Sequence, residues 1–195
     1  WPLQADPRSG LRLGMYQRGS HRLVAIDECR IQDPALTRLS KRAAGVLRDS
    51  GLPAYDEASH QGFLRAFHAR LMPGTAELLL GLTTRAGRFD QGQALADALL
   101  EAARGLRDAG GRPVRAVGVV RSIHEEPGNA LLGRQQVPLR GRDHQFDRVA
   151  GLVIRVGFGS FYQSHRDADA LLFRPALAML GDVDGQRVVD GYGGV

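Results

Sequence analysis

Phe63-Leu64-Arg65-Ala66-Phe67-His68-Ala69-Arg70-Leu71, then Met72-Pro73-Gly74, then Glu77-Leu78-Leu79-Leu80-Gly81-Leu82-Thr83-Thr84 is the stretch from which the fold is read. The first segment alternates well enough for a strand, Met72-Pro73-Gly74 is a turn, and Glu77 to Thr84 is a second, nearly all-apolar strand. A polar loop, Arg85 to Gln91, follows. Beyond it an alanine- and leucine-rich helix places Leu95, Leu99, Ala102 and Leu106 on one stripe until Gly110-Gly111 ends it. The unit is strand, strand, helix.

The same order stands before it. Leu11 to Gln17 and Arg22 to Ile26 read as strands joined around Arg18-Gly19-Ser20. Asp33 caps a helix with Pro34 at its first position, and Leu36, Leu39, Ala43, Val46 and Leu47 share a face until Ser50-Gly51. The doubled ββα order predicts an α+β domain with helices on one face of a mostly antiparallel sheet. Further strands are expected at Val114 to Ile123, Ala130 to Pro138 and Leu152 to Val156, with Glu125 to Asn129 as a hairpin turn. From Ser164 a helix runs towards Leu180, kinked or split at Pro175, and Gln186 to Val189 is a short strand ending in Asp190. The change of pattern near Gly157 to Ser160 divides the chain into residues 1–157 and residues 158–195.

The 195 residues are 43% hydrophobic and 24% charged, enough to bury a core, so a disordered chain is excluded. No apolar run approaches the roughly 20 residues of a membrane-spanning helix; the greasiest, Leu78 to Leu82, is cut by Gly81. A soluble, cytoplasmic protein without a membrane partner is expected. The net charge is +5, and of 26 basic residues Lys41 is the one lysine, the rest being arginine. Arginine forks suit phosphate and favour a polyanionic partner such as nucleic acid; an arginine-biased composition is the other reading. Arg18, Arg22, Arg65, Arg70 and Arg121 fall on or beside strands, from which a sheet face could track a phosphate backbone. The single cysteine, Cys29, excludes an internal disulfide. His21, His60, His68, His124, His144 and His165 show no metal-type spacing and read as surface or core residues, His124-Glu125-Glu126 as a solvated turn.

Two segments could carry chemistry. In Asp190-Gly191-Tyr192-Gly193-Gly194-Val195 the glycines after a strand would let backbone N–H groups approach a nucleotide or methyl donor; a flexible glycine-rich segment is the alternative. Phe161-Tyr162-Gln163 places two aromatics and an amide at a strand-to-helix junction, where they could stack on and hydrogen-bond a flat ligand. Ordinary core aromatics beside a helix cap would give the same letters. A start at Trp1 and a finish inside a glycine loop suggest a fragment of a longer protein.

Gly14 to His21, Val24-Ala25-Ile26-Asp27-Glu28-Cys29-Arg30-Ile31, Phe161-Tyr162-Gln163 and Val188-Val189-Asp190-Gly191-Tyr192-Gly193-Gly194-Val195 resemble, in order and spacing, the landmarks of the S-adenosylmethionine-dependent RNA uracil-C5 methyltransferases of the RumA/TrmA type. Gly118-Val119-Val120, Asn129 to Gly133 and Leu139-Arg140-Gly141 resemble that family's middle region. The resemblance implies a central α/β domain over 1–157 and, over 158–195, the first helix and strand of a Rossmann-like methyltransferase domain. It implies S-adenosylmethionine as cofactor, contacted by Gln163 and Tyr192, with Asp190 supporting the loop and Gly194 permitting close approach. Cys29 matches the last of four thiolate ligands to a 4Fe–4S cluster in ribosomal RNA members, the other three lying in an upstream segment, so a cluster is expected only in the full-length parent. The family's nucleophilic cysteine attacks uracil C6, C5 takes the methyl group, and a base removes the C5 proton. Both catalytic residues lie downstream of the glycine loop in the family, so none is expected in this chain, which should be inactive alone. The implied partner is RNA, ribosomal rather than transfer, and a monomer is favoured. Gly191 and Gly193 replace the family's leucine and cysteine, and they motivate a different reading, a non-catalytic RNA-binding module on the same fold.

Overall fold

The computed structural model describes residues 1–189 apart from 9, 21, 127–129, 164 and 166. Strands β1 (Leu3–Asp6), β2 (Gly10–Tyr16) and β3 (Leu23–Ala25) form an antiparallel meander. Helix α1 (Pro34–Asp49) follows. Its start is the one the sequence predicts: the Asp33 carboxylate accepts from the Ala35 N–H at 2.8 Å, satisfying a backbone donor that the first helical turn leaves free.

Strands β4 (Leu64–Leu71) and β5 (Glu77–Thr84) pair antiparallel, helix α2 (Gly92–Ala102) crosses over, and β6 (Arg115–Ile123) returns parallel to β5. Strand β7 (Gln135–Gly141) pairs antiparallel to β6, so the sheet order is β4-β5-β6-β7. Two of its three pairings are antiparallel, as expected of a mostly antiparallel sheet, and the β5–β6 pairing is parallel. The cause is α2 itself, since a helix crossover carries the chain back to the same end of the sheet.

Every residue of β5 is buried. Leu78, Leu80 and Leu82 face Leu39, Ala43 and Leu47 of α1 and Leu95, Ala96 and Leu99 of α2 in the main core. Leu79 packs on the opposite face with Val120 and Phe158. Helices therefore cover one face, and the other is closed partly by the chain after β7: β8 (His144–Val149), β9 (Leu152–Gly157) and Phe158. Gly81 is what admits Phe158, because a Cβ there would lie 2.2 Å from its ring.

Several expectations are corrected. Strands β1 and β8 were not predicted. Helix α2 ends at Ala102, so Leu106 is buried from the following turn rather than from a helical stripe. Strand β7 begins at Gln135, not Ala130. The helix expected from Ser164 begins as a π-helical turn at Asp169–Phe173, and α3 (Arg174–Leu180) starts anew with Pro175 in its first turn, the split that proline imposes. Gln186 to Val189 is not a strand: no neighbour lies alongside to take its backbone bonds among the described residues, and Val189 is 82% exposed. The turn expected at Glu125 to Asn129 falls partly outside the described residues. Among those described, no helix is long and apolar enough to cross a membrane.

Candidate functional site

The segment Phe158 to Gln163 leaves β9 on the open side of the sheet. Phe158 is locked between Gly81 and the His68 ring, which it meets edge-on at 5.6 Å. Gly157 and Ser160 close a turn, and the Tyr162 hydroxyl then donates to Asp147 at 2.8 Å. Asp147 is 3% exposed although it lies on a strand, and its other oxygen accepts the Gly74 and Arg148 N–H groups. One carboxylate thereby ties the turn before β5, strand β8 and the Phe161-Tyr162-Gln163 motif together. Burial, followed by the hydrogen bond to Asp147, pushes the Tyr162 phenol well above its ordinary pKa, so it stays a donor at every physiological pH.

The motif's three side chains part company. Tyr162 turns inward, whereas Phe161 is 86% exposed and Gln163 is exposed, so neither flanking residue is a core residue. Asp190, Tyr192 and Gly194, the other expected cofactor contacts, lie outside the described residues. Replacing Tyr162 with phenylalanine is expected to lower stability by about 1.5 kcal/mol, the scale of a hydrogen bond to a charged group, read as a lower urea midpoint at unchanged slope.

Cys29 sits between β3 and α1, half-buried and free. A cluster needs several thiolates and the chain has one; among the described residues no three His, Cys, Asp or Glu side chains are grouped to hold a metal. These residues do not make a cluster site on their own.

The five arginines singled out on strands have different fates. Arg65 is buried, not surface: it donates to the His124 and Glu126 carbonyls, pairs with Glu57 at 3.0 Å and lies over the Tyr55 ring. Arg121 is buried too, donating to Thr84 Oγ1 and to the carbonyls of Arg85 and Gly87. These two cross-link loops and cannot track an RNA backbone. His124, expected in a solvated turn, is 5% exposed, and burial followed by the neighbouring Arg65 charge lowers its pKa. Arg18 and Arg22 are exposed, and Arg70 is half-buried.

Arg70 lies in the cleft of about 280 Å³ beside edge strand β4. Trp1 forms its upper end, joined to β4 by mutual backbone bonds with Phe67 and stacked 5.6 Å from the Phe67 ring. Leu36, Leu79, Leu132 and Phe158 supply apolar wall, and Met15 and Gln32 the rim. His68 also lines it, bonded through Nε2 to Thr83 Oγ1 at 2.8 Å. Thr83 spends its proton on the Leu131 carbonyl, so the imidazole is the donor. Burial drives the His68 pKa down to about 3, which leaves the ring neutral. Sequence reasoning named His68 and Arg70 only as members of larger groups and missed Phe158 and Asp147. A polar residue at an inward strand position carries no signal in a single sequence.

No protein-family model matches the chain. Over all 195 residues it is 32% identical to an uncharacterized RNA methyltransferase of Gloeobacter violaceus and 30% identical to one of Synechocystis, covering 40% of each. An uncharacterized RNA methyltransferase of Halalkalibacterium halodurans is 26% identical over 190 residues, 97% of this chain and 39% of the relative. The chain spans about two fifths of the length of the curated relatives it matches. In structure it is similar to the tRNA (uracil-54, C5)-methyltransferase of Pyrococcus abyssi, solved with S-adenosyl-L-homocysteine. The TM-score is 0.61 at 16% identity, over 83% of this chain and 36% of that one. The chain is therefore similar in sequence to RNA methyltransferases and similar in fold to a uracil-C5 methyltransferase, the family that its motifs resemble.

Proposed function

We propose, from this kinship with RNA methyltransferases along the whole chain, that the protein works in methylating uracil C5 in RNA with S-adenosylmethionine as methyl donor. Residues 1–157 form its central α/β domain and residues 158–195 begin its methyl-donor domain. The observation that carries this is the match, along the whole chain, to relatives named RNA methyltransferases. The common fold with a uracil-C5 enzyme supports the choice of base and position.

Within that reading Gln163 contacts the methyl donor, with Tyr192, Asp190 and Gly194 completing the site. The exposure of Gln163 on a segment anchored by Tyr162 suits such a contact. The nucleophilic cysteine and the base belong to sequence outside this chain, so the chain alone forms no 5-methyluridine. Ribosomal RNA is the favoured substrate, because Cys29 stands where ribosomal RNA members place a cluster thiolate. Cytoplasmic, monomeric action belongs to the same proposal.

The test is nucleoside mass spectrometry of ribosomal and transfer RNA transcripts incubated with the full-length protein and S-adenosylmethionine. New 5-methyluridine on ribosomal RNA is expected. None on either RNA overturns the reading and leaves the non-catalytic RNA-binding module, which the glycines at positions 191 and 193 favour.

A further inference from the structure

Arginines are costly to bury, and other arginines drawn into this fold, buried or half-buried, have a carboxylate or several carbonyls beside them. Arg65 has Glu57 and two carbonyls, Arg121 has two carbonyls and a hydroxyl, and Arg142 has Glu77 at 2.9 Å. Arg70 differs. Its guanidinium makes one long contact, 3.4 Å to the Gly157 carbonyl, and no carboxylate pairs with it among the described residues. A partly desolvated cation with most of its N–H donors unused is stabilised by an anion that arrives from outside. Burial correspondingly lowers its pKa from the ordinary arginine value.

What surrounds Arg70 restricts that anion. Among the described residues the cleft lining has no carboxylate, and no three His, Cys, Asp or Glu side chains are grouped to hold a metal. Among the described side chains of the lining His68 is neutral and already bonded, which leaves Arg70 as the charged one; burial lowers the pKa of the neighbouring Trp1 α-amino group to about 6, so that group is mostly uncharged at neutral pH. The rest is apolar and aromatic: Trp1 and Phe158, with Leu36, Leu79 and Leu132. A free inorganic anion would leave that wall wet, and an uncharged apolar ligand would leave Arg70 without a partner. A flat ring carrying a phosphate satisfies both. The volume of about 280 Å³ stands at the small end of ligand sites and admits one such unit rather than a stack of them.

We propose that this cleft takes a single unstacked nucleotide of a single-stranded RNA, its base against the Trp1–Phe158 wall and its phosphate on the Arg70 fork. Aromatic walls with an arginine are how proteins hold splayed-out bases. The proposal rests on the reading of this protein as one that acts on RNA, and adds to it a nucleotide seat between Trp1, strand β4 and Phe158, the residue that opens the segment leading to Gln163.

The chain carries its own reporter, since Trp1 is its single tryptophan. A uridine hexamer titrated into the 195-residue protein is expected to quench Trp1 emission. Arg70→Gln should weaken the binding at least tenfold and flatten its salt dependence by about one phosphate contact. Arg70→Lys, which keeps the charge and loses the fork, should fall between. Arg88→Gln, at an exposed arginine paired with Asp90, should change nothing. Met15→Glu is the second variant, because Met15 is 52% exposed and the fold does not depend on it; a carboxylate at the rim should repel the phosphate and weaken binding about as much as Arg70→Gln.

Quenching by a glutamate hexamer as tight as by the RNA overturns the proposal in favour of an acidic peptide. RNA binding that neither quenches Trp1 nor responds to Arg70→Gln and Met15→Glu overturns the seat and leaves the RNA reading intact. No RNA binding by the unaltered chain also overturns it, while the 5-methyluridine assay on the full-length protein decides the methyltransferase reading separately.

Discussion

Glu77→Ala is expected to cost about 3–5 kcal/mol, the scale of removing one partner from a buried charge pair, out of a total that for a domain is typically only about 5–15. Glu77 opens β5 and is 2% exposed. One carboxylate oxygen takes the Phe146 N–H at 2.9 Å, and the other is shared by Arg115 of β6 and Arg142, which is 2.9 Å away. It joins the first residue of the central strand to its parallel neighbour and to the segment that leaves the sheet. Alanine would leave the Phe146 N–H unpaired and the Arg142 guanidinium without its counter-ion.

The same group gives a pH dependence with a definite sign. Burial works to raise the Glu77 pKa, but the Phe146 N–H and the two arginines outweigh it and hold the carboxyl below its ordinary 4.5. A carboxyl depressed in the fold contributes in full above the unfolded value, and that contribution fades as the pH falls through the folded one. Glu77→Gln keeps an acceptor for Phe146 and loses the charge, so its deficit should be largest at neutral pH and shrink below about pH 4.5. Urea midpoints across that range measure it. A Glu77→Ala protein within 0.5 kcal/mol of the original would contradict the assignment.

Glu77 also shows where the sequence was legible. Strand β5 was found with its exact bounds because eight residues buried on both faces read as one apolar run, and α1 because Asp33-Pro34 and Ser50-Gly51 punctuate its ends. Strand β8 was missed because its polarity is inverted. Gln145 and Asp147 point inward, fully or nearly buried, and an alternation with polar residues inside does not score as a strand. The opposite error occurred at Val188 and Val189, whose β-branched pair reads as a strand but is exposed.

The candidate site divides in the same way. Phe161-Tyr162-Gln163 was legible as a motif, since a local string of residue types suffices for that. Its anchoring through Asp147, fifteen residues earlier, was not. Nor could the strand arginines be ranked. What separates Arg65 and Arg121 from Arg70 is whether carbonyls and carboxylates from distant loops converge on the guanidinium. The bond from Arg65 to the His124 carbonyl spans 59 residues, and nothing local to Arg65 announces it.

Gly118→Ala is the second large effect expected, about 3 kcal/mol, at the upper end of the usual cost of forcing added atoms into a filled site. Gly118 pairs with Gly141 where β7 ends and the chain turns into β8. A Cβ on Gly118 would lie 2.0 Å from the Arg142 carbonyl oxygen and 2.7 Å from the Arg142 nitrogen, both backbone atoms, so no rotamer change makes room. Arg142 cannot retreat freely, because its N–H bonds the Val117 carbonyl and its side chain pairs with Glu77. On the other side Gly141 stands at φ 64°, a conformation that L side chains rarely adopt, and its own Cβ would meet the Val117 carbonyl at 2.3 Å. The two glycines, both in stretches that resemble the methyltransferase family's middle region, thus let two backbones cross in contact, and the crossing sends β8 over the open face of the sheet, where Asp147 receives Tyr162. Gly118→Ala should therefore do more than lower the urea midpoint. It should speed amide exchange at Gly74, whose N–H is bonded to Asp147, because the hairpin that carries Asp147 is the part displaced. Faster exchange spread evenly over α1 and α2 instead, with Gly74 no more affected than they are, would show that the glycine pair serves only the sheet and does not position the Gln163 segment.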